Sequence, residues 1–217
     1  AIRNAGDGIS MVQTAEGGLD QTVENLQRIR ELAVQAANGS LSNDDRLLLQ
    51  KEVEQRIAEV DRIRNDTQFN GISVLDGSSA SGTAIQVGAN SGQKITISAF
   101  STDMAASQLS GGGTTINNVS VSTAASAENA LTAIDGALST VNTMRADLGA
   151  VQNRFESTIS NLQTNVENQS ASQSRILDAD FAAETAKMAK ANVLQQAGIS
   201  VLAQANARPN QVLSLLQ

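Results

Sequence analysis

The 217-residue chain contains no cysteine, histidine, tryptophan or tyrosine, a single proline and only four phenylalanines. Without Cys or His it has no thiolate nucleophile, no imidazole acid or base, no disulfide, and none of the ordinary zinc, haem or iron–sulfur ligand sets. Enzymes that rely on those groups are excluded, and no cofactor, metal or catalytic residue is expected. The lack of Cys assigns no redox compartment, because a chain that forms no disulfide can work on either side of a membrane. The 15 basic and 22 acidic side chains leave a net charge of −7 and a pI near 4.6. That balance argues against nucleic acid and against an anionic membrane surface as partners. No apolar run reaches the roughly 18 residues a transmembrane helix requires, and the first residues, from Ala1 to Asp7, carry neither an initiator Met nor a signal-peptide core.

What is present is aliphatic. Apolar residues make up 41% of the chain and aromatics 2%, so the apolar content is Ala, Leu, Val and Ile. These residues suit helix seams better than a bulky globular centre. Charge and glycine then divide the chain. Residues 1–70 hold 8 basic and 12 acidic groups, residues 71–130 hold 1 and 3, and residues 131–217 hold 6 and 7. The nearly uncharged middle carries eight of the 16 glycines among many Ser, Thr and Asn, the composition of turns and short strands. Within it, Ala84–Val87 and Lys94–Ser98 alternate apolar and polar residues around Gly88–Gly92 and predict a β-hairpin. Ser78–Gly82 and Gly111–Gly113 read equally well as turns or as flexible linkers.

The first zone predicts two helices. Val12, Leu19, Val23, Leu26 and Ala33 recur at helical spacing, Glu24 stands four residues before Arg28, and Asn38-Gly39 is a stop signal. Gly17-Gly18 weakens that helix locally. Ser42 followed by Asp45 resembles a capping box, with Asp44 and Asp45 placed where the helix dipole favours negative charge. The second helix should therefore start there, bury Leu49, Val53, Ile57, Val60 and Ile63, pair Glu52 with Arg56, and end near Asn65 ahead of the Asn70-Gly71 turn. The short connection makes the two helices antiparallel neighbours.

The third zone holds a heptad pattern. Ile134, Val141, Leu148, Phe155, Leu162, Gln169 and Ile176 form one series, and Leu131, Leu138, Arg145, Gln152, Ile159, Val166 and Gln173 its companion. Sustained over about six heptads, this implies a helix of roughly 70 Å, at about 1.5 Å per residue, paired side by side with others. Asp178-Ala179-Asp180 then offers a new cap for an Ala-rich helix from Phe181 to Ala207, which Pro209 should end. The final Val212, Leu213, Leu215 and Leu216 cluster on one side of a helical turn. Between Ala191 and Gln217 only Arg208 is charged, so this helix needs a partner.

Four stretches make the pattern specific: SMVQTAEGGLDQTVENLQRIRELAVQAA at Ser10–Ala37, DTQFNGISVLD at Asp66–Asp76, SRILDADFAAE at Ser174–Glu184, and the closing NVLQQAGISVLAQANARPNQVLSLLQ. In these the chain resembles bacterial flagellin, the subunit of the flagellar filament, over nearly its whole length. The resemblance implies a mainly α fold with a small β region: a long antiparallel coiled-helix rod, β-hairpins and a C-terminal inner-domain helix. It implies N-terminal core-domain helices over 1–70, a β-hairpin and turn region with a short variable part over 71–126, the long C-terminal core-domain helix over 127–177, and the C-terminal inner-domain helix over 178–217. The family's opening segment, which forms the N-terminal inner-domain helix, has no counterpart here. A truncated or processed form is therefore expected, in which Phe181–Gln217 is mobile or bound to another molecule and polymerisation is poor.

The implied role is mechanical: subunits stack by repeating heterologous contacts that do not close, the geometry that makes filaments for swimming motility. By resemblance, Arg28, Leu32 and Glu52 are the positions recognised by host Toll-like receptor 5, an exposed Leu anchor with a charged rim. The Val212, Leu213, Leu215 and Leu216 tail serves polymerisation, a dedicated export chaperone and a host inflammasome sensor. Filament cap and junction proteins are further implied partners, type III export the implied route, and an extracellular filament the implied location. O-linked glycans on Ser78–Thr123 are a further possibility that the family offers. Three rivals remain open: a hook–filament junction protein with the same terminal helices, a non-flagellar coiled-coil adaptor forming discrete oligomers, and an enzyme using Asp178 and Asp180. Helix capping accounts for those two aspartates more simply.

Overall fold

A computed structural model describes residues 1–79, 81–177 and 181–215, with side-chain surroundings described through residue 176 and again over 181–206. The chain divides into two compact units, residues 1–164 and 165–217.

The first unit is organised around α1 (Ile2–Ala37). Its buried positions Ala5, Gly8, Val12, Ala15, Leu19, Thr22, Leu26, Ile29, Ala33 and Ala36 alternate steps of three and four without a break. A further stripe, Met11, Gly18, Asn25 and Leu32, recurs every seven residues beside it. Three buried positions per heptad let one helix serve two neighbours. Gly17-Gly18 does not interrupt α1. The Gly18 position is a packing site, where a Cβ would lie 2.7 Å from Thr67 Oγ1 and 2.9 Å from the Leu75 side chain.

The second helix, α2 (Asn43–Asp66), starts where the capping residues direct: the Asp45 amide donates to Ser42 Oγ at 3.2 Å, and that hydroxyl donates to the Asp45 carboxylate at 2.7 Å. It buries Arg46, Val53, Ile57, Val60 and Ile63 and runs antiparallel to α1, with Ala36 facing Arg46, Arg28 facing Glu52 and Asn25 facing Arg56.

The third helix, α3 (Ala124–Leu177), opens on a reciprocal cap in which the Ser126 amide donates to Thr123 Oγ1 and the Thr123 amide donates to Ser126 Oγ. Its partners on α1 descend as α1 ascends: Gly8 meets Phe155, Asp20 meets Arg145 at 2.7 Å, and Arg30 meets Asp135 at 2.8 Å. The two helices are thus antiparallel. The buried seam of α3 is Ala127, Ala130, Ile134, Ala137, Val141, Met144, Leu148, Val151 and Phe155. The series from Ile134 is as expected as far as Phe155. The companion series from Leu131 is displaced: Leu131, Leu138 and Ile159 are half-buried flanks, and the true companions are Ala130, Ala137, Met144 and Val151. Small residues there let the helices approach closely, which a search for large aliphatic residues overlooks.

Between α2 and α3 lie three antiparallel pairs: β1–β2 (Gln68–Phe69 with Ile72–Ser73), β3–β4 (Thr83–Gln86 with Lys94–Ile97) and β5–β6 (Ser110–Gly111 with Thr114–Thr115). The expected hairpin is β3–β4, shifted by one residue, with Ile85 opposite Ile95. Asn70 and Gly71, both at positive φ, form the β1–β2 turn, and Gly112-Gly113 forms that of β5–β6. Gly111 is therefore a hairpin residue and not a linker. The region has its own apolar floor, including Leu75, Ile97, Phe100, Met104, Leu109 and Ile116. Side chains of α2 hold it in place: Arg64 pairs with Asp103 at 2.7 Å, Asp61 accepts from the Ala106 amide at 2.8 Å, and Gln50 accepts from the Val121 amide at 2.7 Å. No described buried side-chain nitrogen or oxygen lacks a partner.

The second unit contains the end of α3 and α4 (Phe181–Leu215). Within it Val166 is 57% and Ile176 81% exposed, and Phe181, Met188, Val193, Leu194, Ile199, Val201 and Leu202 all face solvent. Helix α4 continues through Pro209, where the sequence predicts a stop. The proline lacks the N–H for one rung and its ring crowds the carbonyl four residues earlier, so its place inside the helix departs from the local signal. The expected cap Asp178-Ala179-Asp180 lies outside the described residues.

Two glycines of α3 provide an internal comparison. A Cβ at Gly136 would stand 2.5 Å from Gly111 Cα and from the Ser110 carbonyl oxygen, backbone atoms that cannot turn aside, whereas one at Gly149 meets nothing within 4 Å. Gly136→Ala should lower unfolding stability by about 1–3 kcal/mol, and Gly149→Ala should raise it by about 0.5–1 kcal/mol. Urea unfolding reads both, and equal stabilisation by the two would contradict this packing.

Candidate interaction surface on the helical hairpin

Three of the residues singled out in the sequence fall on the α1–α2 hairpin, and their environments differ. Arg28 lies on the outer side of α1, and its guanidinium bridges the hairpin, donating to Glu52 at 2.8 Å and to Glu31 at 2.9 Å. Glu52 is also approached by Arg56, at 3.9 Å. Arg56 donates in turn to Asn25 Oδ1 at 3.2 Å, and Asn25 is fixed by its own bond to the Gln21 carbonyl. The result is a continuous strip of alternating charge along the hairpin seam.

Two sequence expectations change here. Among the described residues the partners of Arg28 are Glu52, across the hairpin, and Glu31, one turn later in α1, rather than Glu24, one turn earlier. Leu32 is not an exposed anchor: it is 1% exposed and continues the buried stripe of Met11, Gly18 and Asn25. Its face of α1 is turned inward, so it holds α1 in place beneath the charged strip. The apolar side chains that do reach solvent around this end of the hairpin are Val34, Leu47 and Leu48.

Hydrogen bonds set the protonation of the strip. The bond from Arg28 holds the Glu52 carboxyl below the usual glutamate range, against the opposing effect of burial, and the bonds to Glu52 and Glu31 raise the Arg28 guanidinium. Because the folded-state value of Glu52 is depressed, the pair is complete at neutral pH and is lost as pH falls through that value. Both side chains are largely solvated, so the pair contributes position more than stability.

The pairing of Glu52 with Arg56 is as the sequence predicts, at 3.9 Å, whereas Glu31 and Asn25 are members of the strip not singled out in the sequence. The spacing of three between Arg28 and Glu31 was a legible signal, while the Asn25–Arg56 contact depends on the register between helices. For the C-terminal cluster, Val212, Leu213 and Leu215 lie on α4 with side chains outside the described residues, as does Leu216 altogether. Among the described residues, no group of three or more acidic, His or Cys side chains is placed to hold a metal ion, and no helix is long and apolar enough to cross a membrane.

Residues 1–80 match the family described as the bacterial flagellin N-terminal helical region, and residues 131–216 the bacterial flagellin C-terminal helical region. The chain is 42% identical over 217 residues to a flagellin of Halalkalibacterium halodurans, covering all of this chain and 78% of that one. It is 40% identical over 227 residues to flagellin FlaB1 of Treponema pallidum, again over its full length and 79% of the relative. The crystal structure of Bacillus cereus flagellin superposes with a TM-score of 0.63 at 31% identity, covering 79% of this chain and 95% of that structure. The two matched regions are the helical segments that build the α1, α2 and α3 seams, and the chain belongs to the bacterial flagellins, the family of flagellar filament subunits.

Proposed function

We propose that this chain assembles helically with copies of itself into an extracellular filament that drives swimming, with residues 178–217 forming the inner tube and the helical hairpin with α3 forming the surrounding layer. The observation that carries this reading is the solvent exposure of every large apolar side chain described on α4, from Phe181 at 82% to Leu202 at 65%. A helix without a polar face is stable only when covered. The exposed apolar side chains of 181–206 suit an export chaperone in an unassembled subunit, and the apolar sequence Val212, Leu213, Leu215 and Leu216 that follows them suits a host inflammasome sensor. Filament cap and junction proteins would meet the same repeating surfaces at the filament ends. Export as an unfolded chain agrees with a sequence free of disulfides, and the exposed hydroxyls of Ser78–Thr123 are the acceptors for any O-linked glycan.

The same reading takes the charged strip as the surface for Toll-like receptor 5, with Arg28 and Glu52 as contact residues and the buried Leu32 as the residue that positions them. The preformed Arg28–Glu52 bond supports this reading, since a rim already held in its bound arrangement loses little freedom on association.

Two experiments test these assignments. In bacteria carrying Leu194→Glu with Leu202→Glu, electron microscopy should find no filaments and swimming should stop, while the secreted subunit keeps its helical content. Normal filaments would overturn the assembly reading. For the receptor, Arg28→Ala and Glu52→Ala should each reduce reporter signalling severalfold and change unfolding stability by no more than about 0.5 kcal/mol. Leu32→Ala should instead cost about 2–5 kcal/mol of stability. Undiminished signalling by folded Arg28→Ala would remove that residue from the site.

A further inference from the structure

The turn joining α1 to α2 combines three features that together define a modification site. Asn38 is followed by Gly39, both are exposed, and a Cβ at residue 39 would meet nothing within 4 Å, so the Gly39 amide is uncrowded. The side-chain carbonyl oxygen of Asn38 accepts a hydrogen bond from the Ser40 amide at 3.1 Å, which polarises the Cγ carbon toward nucleophilic attack. The main-chain carbonyl oxygen of Asn38 accepts from Nη2 of Arg46 at 2.9 Å.

Arg46 is the unusual member. It is only 6% exposed, and its other bonds go to the Ala36 carbonyl at 2.8 Å and to Asn43 Oδ1 at 3.2 Å. All three acceptors are neutral, whereas a buried guanidinium is most strongly held by a carboxylate.

We propose that Asn38–Gly39 is a site of spontaneous, succinimide-mediated deamidation whose product Arg46 directs toward isoaspartate. The Gly39 amide nitrogen attacks Asn38 Cγ. The new N–Cγ bond closes a five-membered ring, the Cγ–Nδ2 bond breaks, and ammonia leaves with the proton of the Gly39 amide. Water then opens the ring at one of two carbonyls. Attack at Cγ gives aspartate. Attack at the former main-chain carbonyl breaks its bond to the Gly39 nitrogen, leaves the chain running through Cγ, and frees that carbonyl as a carboxylate. This second carbonyl is the one Arg46 holds before the ring closes; by re-engaging it in the ring the guanidinium activates it and gains a carboxylate, a partner it does not have among the described residues. The turn acquires one more backbone methylene and one negative charge between two helices whose register depends on it. Ring closure requires Asn38 to leave its present ψ of 123°, a rotation that breaks the bonds its carbonyl oxygen accepts from Arg46 and from the Leu41 amide at 3.2 Å, so closure proceeds from a transiently opened turn.

The test is peptide mapping by mass spectrometry of the 217-residue protein aged in neutral buffer at 37 °C, beside a short synthetic peptide spanning the same turn. Residue 38 should gain the mass of the amide-to-acid change, with a higher isoaspartate-to-aspartate ratio in the protein than in the peptide. Gly39→Ala should slow the conversion severalfold. Arg46→Gln should bring the product ratio down to the peptide's while leaving Asn70–Gly71, the other Asn-Gly pair, unchanged. Retention of the Asn38 amide after the peptide has fully converted would overturn the proposal. So would a product ratio indifferent to Arg46, or one that shifts equally at Asn70.

Discussion

The structure depends on how much of α1 is buried. A helix with two buried positions per heptad can satisfy one neighbour, whereas α1 buries three and is shared between α3 and the α2 hairpin. The cost of that sharing appears as small residues: Gly8 receives the ring of Phe155, Gly18 receives Thr67 and Leu75, and Ala5, Ala15, Ala33 and Ala36 keep the axes close. Polar residues inside this arrangement are satisfied locally, Thr22 and Asn25 by carbonyls one turn earlier in α1. Because α1 fixes the register of both partners, it also fixes the positions of Arg28 opposite Glu52 and of Arg46 beneath Asn38.

Such an arrangement stabilises only the part of the chain it covers. Burial along the α3 seam is complete through Phe155, and Ile159 and Leu162 are half covered; past them the same heptad phase continues as exposed side chains. Helix α4 presents its apolar residues in all directions. The chain thus has one part that folds on internal contacts and one part whose described apolar side chains are left exposed, and the proposed filament would supply partners for these in a repeating array.

Much of this was legible in the sequence, and the reasons are local. Ser42 with Asp45, Asn38-Gly39, Asn70-Gly71 and the alternation in Ile85/Val87 and Ile95/Ile97 are short-range signals that act through hydrogen bonds or pleat within a few residues. The four motif stretches carried the family. What was not legible depended on neighbours. Gly18 looks like a defect until Thr67 and Leu75 are set against it. Leu32 is an exposed anchor only in what the resemblance implies, and the third stripe of α1 buries it; the companion seam of α3 is hidden because alanine and methionine lack the strong signature of leucine. Pro209 carries the local signal of a stop, a missing donor and a ring that crowds the carbonyl four residues earlier, yet α4 runs through it, and nothing in the structure explains why.

The central claim is that α4 is covered only in the assembled state. Amide hydrogen exchange over residues 191–206, measured on dilute subunits and on filaments of the same protein, addresses it directly. Exchange close to that of an isolated helix is expected in the free subunit and strong protection in the filament, with the α1 amides protected in both. Strong protection of 191–206 in the dilute subunit, or none in the filament, would contradict it.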